Sequence, residues 1–227
     1  MQHRSTVSLV AVLLTVGWAV VASAAEAGEE RSAIEHPLKG EALVESLRRG
    51  GLVVYFRHAR TEKDYADQVT ADPDDGSTQR VLSEKGWHQA REIGKAWREL
   101  GLPVGEVISS EYFRAWQTAD LAFGRYRKDA ALNFEPAEEF TEEQFAAMRE
   151  RVRPMLSRKI EGDANRVIVG HDDPFEAATG IYPAPQGVAY VIHPLGDKGG
   201  AGEGFEILAR VKSEQWTELA KGNASDK

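Results

Sequence analysis

Three short clusters in this chain combine residue types that can hold and attack an anion. Arg57-His58-Ala59-Arg60-Thr61 follows an apolar run at 53–56. Arg114 lies in Ser109-Ser110-Glu111-Tyr112-Phe113-Arg114, just after Val107-Ile108. His171-Asp172-Asp173 follows Val167-Ile168-Val169-Gly170. Arginine presents a fixed fork of donors that matches phosphate oxygens. Histidine near neutral pH serves as nucleophile, acid or base. The combination points to phosphoryl chemistry. Each residue alone has a plainer reading: a solvated Arg-His pair, a surface ion pair for Arg114, a carbonyl-bonded structural histidine for His171. Three strand ends that deliver such residues together fit chance poorly.

The elements that must position these residues show as apolar patterns. Residues 52–56, 104–108 and 167–169 read as buried strands, and open α/β sheets bind ligands beyond the carboxyl ends of their strands. A helix over 41–49 carries Leu43, Val44 and Leu47 and stops at Gly50-Gly51. Ser83 is the expected N-cap of a helix whose stripe is Trp87, Ala90, Ile93, Trp97 and Leu100. Residues 111–123 read as a helix with Arg114 in its first turn, where the helix terminus also favours an anion. Thr141-Glu142-Glu143-Gln144 forms a capping box, with Phe145 and Met148 turned to the core and Pro154 expected to kink or divide the helix. Residues 188–193 and 205–211 read as late strands joined by the Gly-rich turn 199–204. Ser213 is the expected cap of a last helix through Leu219. Strands alternating with helices imply an α/β fold, a three-layer αβα sandwich around a largely parallel sheet.

The chain has 227 residues, of which 42% are hydrophobic and 28% charged, enough for one sizeable core over about 41–220. Residues 1–24 read as a secretory signal: Arg4 without an acid, an apolar stretch over 7–21, then Ala22-Ser23-Ala24. Cleavage after Ala24 or Ala25 leaves a flexible leader to about residue 40 and a polar tail at 221–227. The stretch is short for a spanning helix, so stable membrane insertion is not expected and the location is periplasmic or secreted. There is no Cys, hence no disulfide and no thiolate chemistry. Loss of Arg4 with the signal takes the net charge from −8 to −9, an acidic balance that argues against nucleic acid and anionic membranes as partners. A Gly-x-Ser-x-Gly elbow is absent, which removes the usual serine hydrolase. Asp72-Pro73-Asp74-Asp75-Gly76 resembles a calcium loop only in part, since its twelfth position is Ser83 rather than Glu. His3, His36, His88 and His193 show no ligand spacing, and the tryptophans, Trp87 and Trp97 above all, read as core or snorkelling residues.

The ordered motifs resemble the histidine phosphatase superfamily, which includes phosphoglycerate mutases and acid phosphatases. The matching pieces are Arg57-His58-Ala59-Arg60-Thr61, Leu82-Ser83-Glu84-Lys85-Gly86 with Gln89-Ala90, Ser110 through Arg114 with Gln117-Thr118-Ala119, and Gly170-His171. The resemblance implies a phosphoglycerate mutase-like fold and a phosphomonoesterase that uses no metal or cofactor. It implies that His58 attacks phosphorus to form a phosphohistidine, with Arg57, Arg114 and His171 on the phosphoryl oxygens. The second ring nitrogen of His58 is then expected to donate to a backbone carbonyl in the loop after Arg57. Thr61 is a further candidate phosphate contact. Asp172 is the chosen proton donor to the leaving group, with Glu135, Glu138 and Glu139 as the other candidates. A phosphorylated small molecule, or a phosphoprotein, is the expected partner. The acidic loops 62–80 and 125–143 disfavour highly anionic substrates. A non-catalytic phospholigand-binding module of the same fold is the competing reading.

Overall fold

A computed structural model describes residues 34, 37–62, 67, 71–135, 140–196 and 204–225. The expected signal and most of the leader lie outside the described residues, as does most of the Gly-rich turn. In chain order the elements are α1 (Gly40–Arg49), β1 (Val53–Arg57), α2 (Glu84–Glu99), β2 (Val104–Ser109), α3 (Phe113–Phe123), β3 (Arg127–Lys128), α4 (Glu142–Ser157), β4 (Asn165–Gly170), α5 (Asp172–Thr179), β5 (Ala189–Pro194), β6 (Phe205–Val211) and α6 (Ser213–Ser225).

The strands form one sheet in the order β3-β2-β4-β1-β5-β6. β3, β2, β4 and β1 pair in parallel, while β5 and β6 are antiparallel to their neighbours. The two sheet faces separate the side chains of each strand by parity. On β1, Val54 and Phe56 join α1, α2, α3 and α6 through Leu47, Trp97, Ala119 and Trp216. Val53 and Tyr55 face the other side, where Val152 and Leu156 of α4 and Phe175 of α5 cover the sheet. This is the three-layer αβα arrangement, and it explains why β1 is buried at every position.

Parallel pairing brings three strand ends to one edge. Arg57 pairs with Gly170, and Ser109 pairs with Val169. His58 N–H donates to Gly170 O at 2.9 Å, and Ser110 N–H to Val169 O at 3.0 Å, so the ladder extends one residue past each strand.

Some local expectations are corrected. Trp87 is 45% exposed, whereas Trp97 is buried. At 100° per residue Trp87 stands about 140° around the helix from Leu100, at the margin of the stripe rather than in it. Pro154 does not divide α4, which is continuous to Ser157. The carbonyl that its missing N–H would have engaged belongs to Glu150, an exposed residue. Ser213 is the first residue of α6 rather than its cap; its Oγ accepts from Gln89 Nε2 at 2.8 Å. α6 runs on to Ser225, through much of the stretch expected as a tail. The remaining cap expectations are met: Ser83 Oγ accepts from Gly86 N–H, and Thr141 and Gln144 complete a capping box.

Candidate functional site

The site is built on loops that the strand ends enter immediately. His58 is fully buried and its neighbour Ala59 is held on both sides. Ala59 N–H donates to Thr118 Oγ1 at 3.0 Å, and Thr118 in turn donates to Arg114 O at 2.7 Å, which ties the loop to α3. The Leu82–Gly86 segment closes over the same loop. Ser83 N–H and Oγ–H both donate to Arg60 O, and a Cβ on Gly86 would come within 2.0 Å of that oxygen. Glycine is required there by close approach.

His58 Nδ1 lies 2.8 Å from Ala59 O. A carbonyl only accepts, so Nδ1 carries the proton and Nε2 is bare. Arg114 Nε donates to that Nε2 at 3.2 Å. Burial first, then the Arg114 guanidinium, holds the imidazole well below the usual histidine range, so a neutral ring is favoured at neutral pH. A buried neutral imidazole with one nitrogen anchored and the other bare is equipped to attack an electrophile.

His171 is also fully buried, with its ring centroid 5.5 Å from that of His58. Tyr55 holds its backbone: the hydroxyl accepts from His171 N–H at 3.0 Å and donates to His171 O at 2.8 Å. A Cβ on Gly170 would fall 2.2 Å from that hydroxyl, so the Gly before His171 makes room for the clamp. His171 Nε2 lies 2.8 Å from Ser110 Oγ. Its Nδ1 has no partner among the described residues. Burial, then Arg114 and His58, pushes its pKa well down.

The arginines are almost fully buried. Arg57 donates through Nη1 to Pro183 O at 3.1 Å and through Nη2 to Asp172 Oδ2, while its Nε is unpartnered among the described residues. Arg114 Nη1 donates to Asp67 Oδ1 at 2.8 Å, and its guanidinium stands over the rings of Tyr112 and Phe134. Buried guanidinium forks beside the bare Nε2 of His58 and the unpartnered Nδ1 of His171 form a cluster whose donors match a tetrahedral anion.

The expected site residues therefore divide. Arg57, His58, Arg114 and His171 come together at one edge. Asp172 is beside them, but its Oδ2 accepts both from Arg57 and from the Tyr182 hydroxyl at 2.8 Å. Among the described residues the hydrogen bonds of Thr61 go to the side chain of Gln186, not to this cluster. Glu135 is engaged by Arg151 Nη1 at 2.7 Å, and Glu138 and Glu139 lie outside the described residues. Residues that the sequence did not single out are Tyr55, Asp67, Asn133, Tyr182 and Arg80. The Arg80 charge acts on both histidines, and its Nε is buried without a partner among the described residues. A separate open cleft of about 470 Å³ passes Arg60, Lys85, Gln89 and Thr217, away from both buried histidines.

Residues 53–142 match the sequence model of the histidine phosphatase superfamily (branch 1), a stretch that includes Arg57, His58 and Arg114 and stops short of His171. Among solved structures the chain is similar to a putative alpha-ribazole-5'-P phosphatase from Escherichia coli K-12, at 14% identity and a TM-score of 0.51, covering 72% of this chain and 98% of that one. It is similar to the protein histidine phosphatase SixA complexed with tungstate, at 12% identity and a TM-score of 0.49, covering 72% and 98%. A protein from Thermus thermophilus matches at 22% identity and a TM-score of 0.46, covering 71% and 99%. No curated protein matches the chain. At such identities the likeness to the Escherichia coli structure is one of fold.

Proposed function

We propose, from the match of residues 53–142 to the histidine phosphatase superfamily, that this protein is a phosphomonoesterase that works through a phosphohistidine. The single observation that carries the reading is the state of His58: Nδ1–H given to Ala59 O, Nε2 bare, and Arg114 Nε directed at it. In the first step the Nε2 lone pair forms a bond to phosphorus as the ester O–P bond breaks. In the second, water forms an O–P bond, the N–P bond breaks, and phosphate leaves. Arg57 and Arg114 grip the phosphoryl oxygens and offset the negative charge of the transition state, where each such donor contributes roughly 3–4 kcal/mol. Arg114 reaches the phosphate by exchanging Asp67 for a phosphoryl oxygen.

Asp172 orients Arg57 through their ion pair, with Tyr182 fixing the carboxylate from the mouth. A site in which Asp172 is engaged by two donors favours substrates with good leaving groups. The apolar stretch 7–21 and Ala22-Ser23-Ala24 support an exported location. The test is turnover of p-nitrophenyl phosphate, inhibition by vanadate and loss of turnover in His58→Ala. Protein that binds phosphate yet turns over no member of a broad phosphoester panel, from mildly acidic to mildly basic pH, would be a binding module instead.

A further inference from the structure

The hydrogen bonds around His171 admit one assignment of its ring protons. Glu111 N–H donates to Asn133 Oδ1 at 3.1 Å, and a backbone N–H can only donate, so the orientation of the amide is settled. Asn133 Nδ2 then donates to Glu111 Oε2 at 2.8 Å, which agrees. Ser110 Oγ lies 2.8 Å from the same Asn133 Oδ1, an oxygen that only accepts, so the hydroxyl proton is directed there. Tyr112 N–H donates to Ser110 Oγ at 3.3 Å. With its one proton committed, Ser110 accepts from His171 Nε2, 2.8 Å away. Nε2 therefore bears hydrogen, and in the neutral ring Nδ1 is the bare nitrogen. That atom is buried and unpartnered among the described residues.

The surroundings keep the free ring neutral. Arg57 and His58 face it from the end of β1, Arg114 from α3 and Arg80 from the loop before α2, all acting against a second proton. Tyr112 and Phe134 present ring edges or faces to it. Asp67 and Asp172, the carboxylates bonded to this cluster, are paired with Arg114 and Arg57. Glu111 reaches the ring through Asn133 and Ser110 alone.

A bare nitrogen opposes the lone pairs of a fully ionised phosphate. Resting on the phosphatase reading, we propose that Glu111 and Asn133 are positioning residues that act through Ser110 to hold His171 as its Nε2–H tautomer, so that the pocket takes up a phosphoryl group together with one proton. A phosphate monoanion brings that proton as P–OH and donates it to Nδ1. A dianion reaches the same complex by drawing one proton from solvent. No bond to phosphorus changes in this step. The bare nitrogen of His58 faces phosphorus to attack it, which leaves His171 as the acceptor. The substrate class is a phosphate monoester, because a diester monoanion has no proton to give.

Two measurements on the purified protein test this. Nitrogen NMR of the free protein, with ¹⁵N-histidine, should show His171 as Nε2–H; an Nδ1–H tautomer overturns the proposal. Calorimetric titration with inorganic phosphate at mildly basic pH, in buffers of different ionisation enthalpy, should show close to one proton taken up per site. The apparent Kd should rise about tenfold per pH unit above the second ionisation of phosphate. Asn133→Ala frees Ser110 to donate to Nε2 and admits the Nδ1–H tautomer, so proton uptake should fall towards zero. A merely structural role would change affinity or stability and leave the proton count alone. Binding without proton uptake in the wild type overturns this proposal and spares the phosphatase reading. Absence of phosphate binding overturns both.

Discussion

Thr118→Val removes one hydroxyl from the point where β1's loop meets α3. Thr118 is 2% exposed, and its Oγ1 accepts from Ala59 N–H at 3.0 Å. Valine nearly conserves the volume, so the cost is mainly the Ala59 N–H left buried without a partner, about 1–3 kcal/mol. The bond that Thr118 gives to Arg114 O adds little, since that carbonyl lies within α3. The consequence for chemistry is separable. Ala59 O is the acceptor that sets the tautomer and direction of His58, so a loop free to shift at Ala59 misaims Nε2. Small misplacements of a reacting atom cost up to about a hundredfold in rate, and we expect kcat to fall about ten- to hundredfold with a smaller change in KM. The assays are urea unfolding and steady-state turnover of p-nitrophenyl phosphate, with Thr118→Ser as the variant that restores the hydroxyl. Stability lowered by the stated amount with kcat unchanged would refute the reasoning, because the loop would then position nothing.

Other expectations follow from neighbouring bonds. Tyr55→Phe leaves His171 N–H unpartnered and should cost about 1–3 kcal/mol in urea unfolding; an unchanged midpoint would contradict the clamp. Asp173 is pushed up to about 6 by burial, then by Asp172 and Glu176, from an ordinary 3.8. The folded state thus holds that proton more tightly, and stability is lost as pH rises from about 4 through about 6, by at most about 3 kcal/mol. Partial exposure reduces this to roughly 1–2 kcal/mol, still above the 0.3–1 kcal/mol that a charge in the first turn of α5 gains from the helix. Asp173→Asn should therefore stabilise the protein at about pH 8 and not at about pH 4; the same effect at both would be against it. Asp172→Asn should lower turnover by one factor across a series of leaving groups, whereas a loss that steepens for poor leaving groups would identify Asp172 as the proton donor.

Which parts of this architecture could be read from sequence has a physical pattern. β1 and β4 are visible because strands buried on both faces must be apolar runs, β2 shows through its buried end at Val107-Ile108, and the polar residues at the strand ends then stand out. The antiparallel β5 and β6 look the same as parallel strands, since direction depends on pairing partners far along the chain. Tyr55 hid inside an apolar run, where its hydroxyl has a use only once β4 lies alongside. Asp67, Arg80 and Asn133 sit in segments legible only as polar, and long-range bonds alone distinguish them from their neighbours. Trp87 misled because periodicity marks the centre of a helical stripe better than its margin. Ser213 misled because a serine before a helix looks like a cap whether or not another side chain claims its hydroxyl.

The central claim is that His58 carries the phosphoryl group. Mixing the protein with a ³²P-labelled aryl phosphate and quenching within a single turnover measures this directly. The account predicts label bound to protein that survives base and is released by acid, and that disappears in His58→Ala while phosphate binding persists. Turnover with no trapped phosphoprotein, or label retained in His58→Ala, would contradict it.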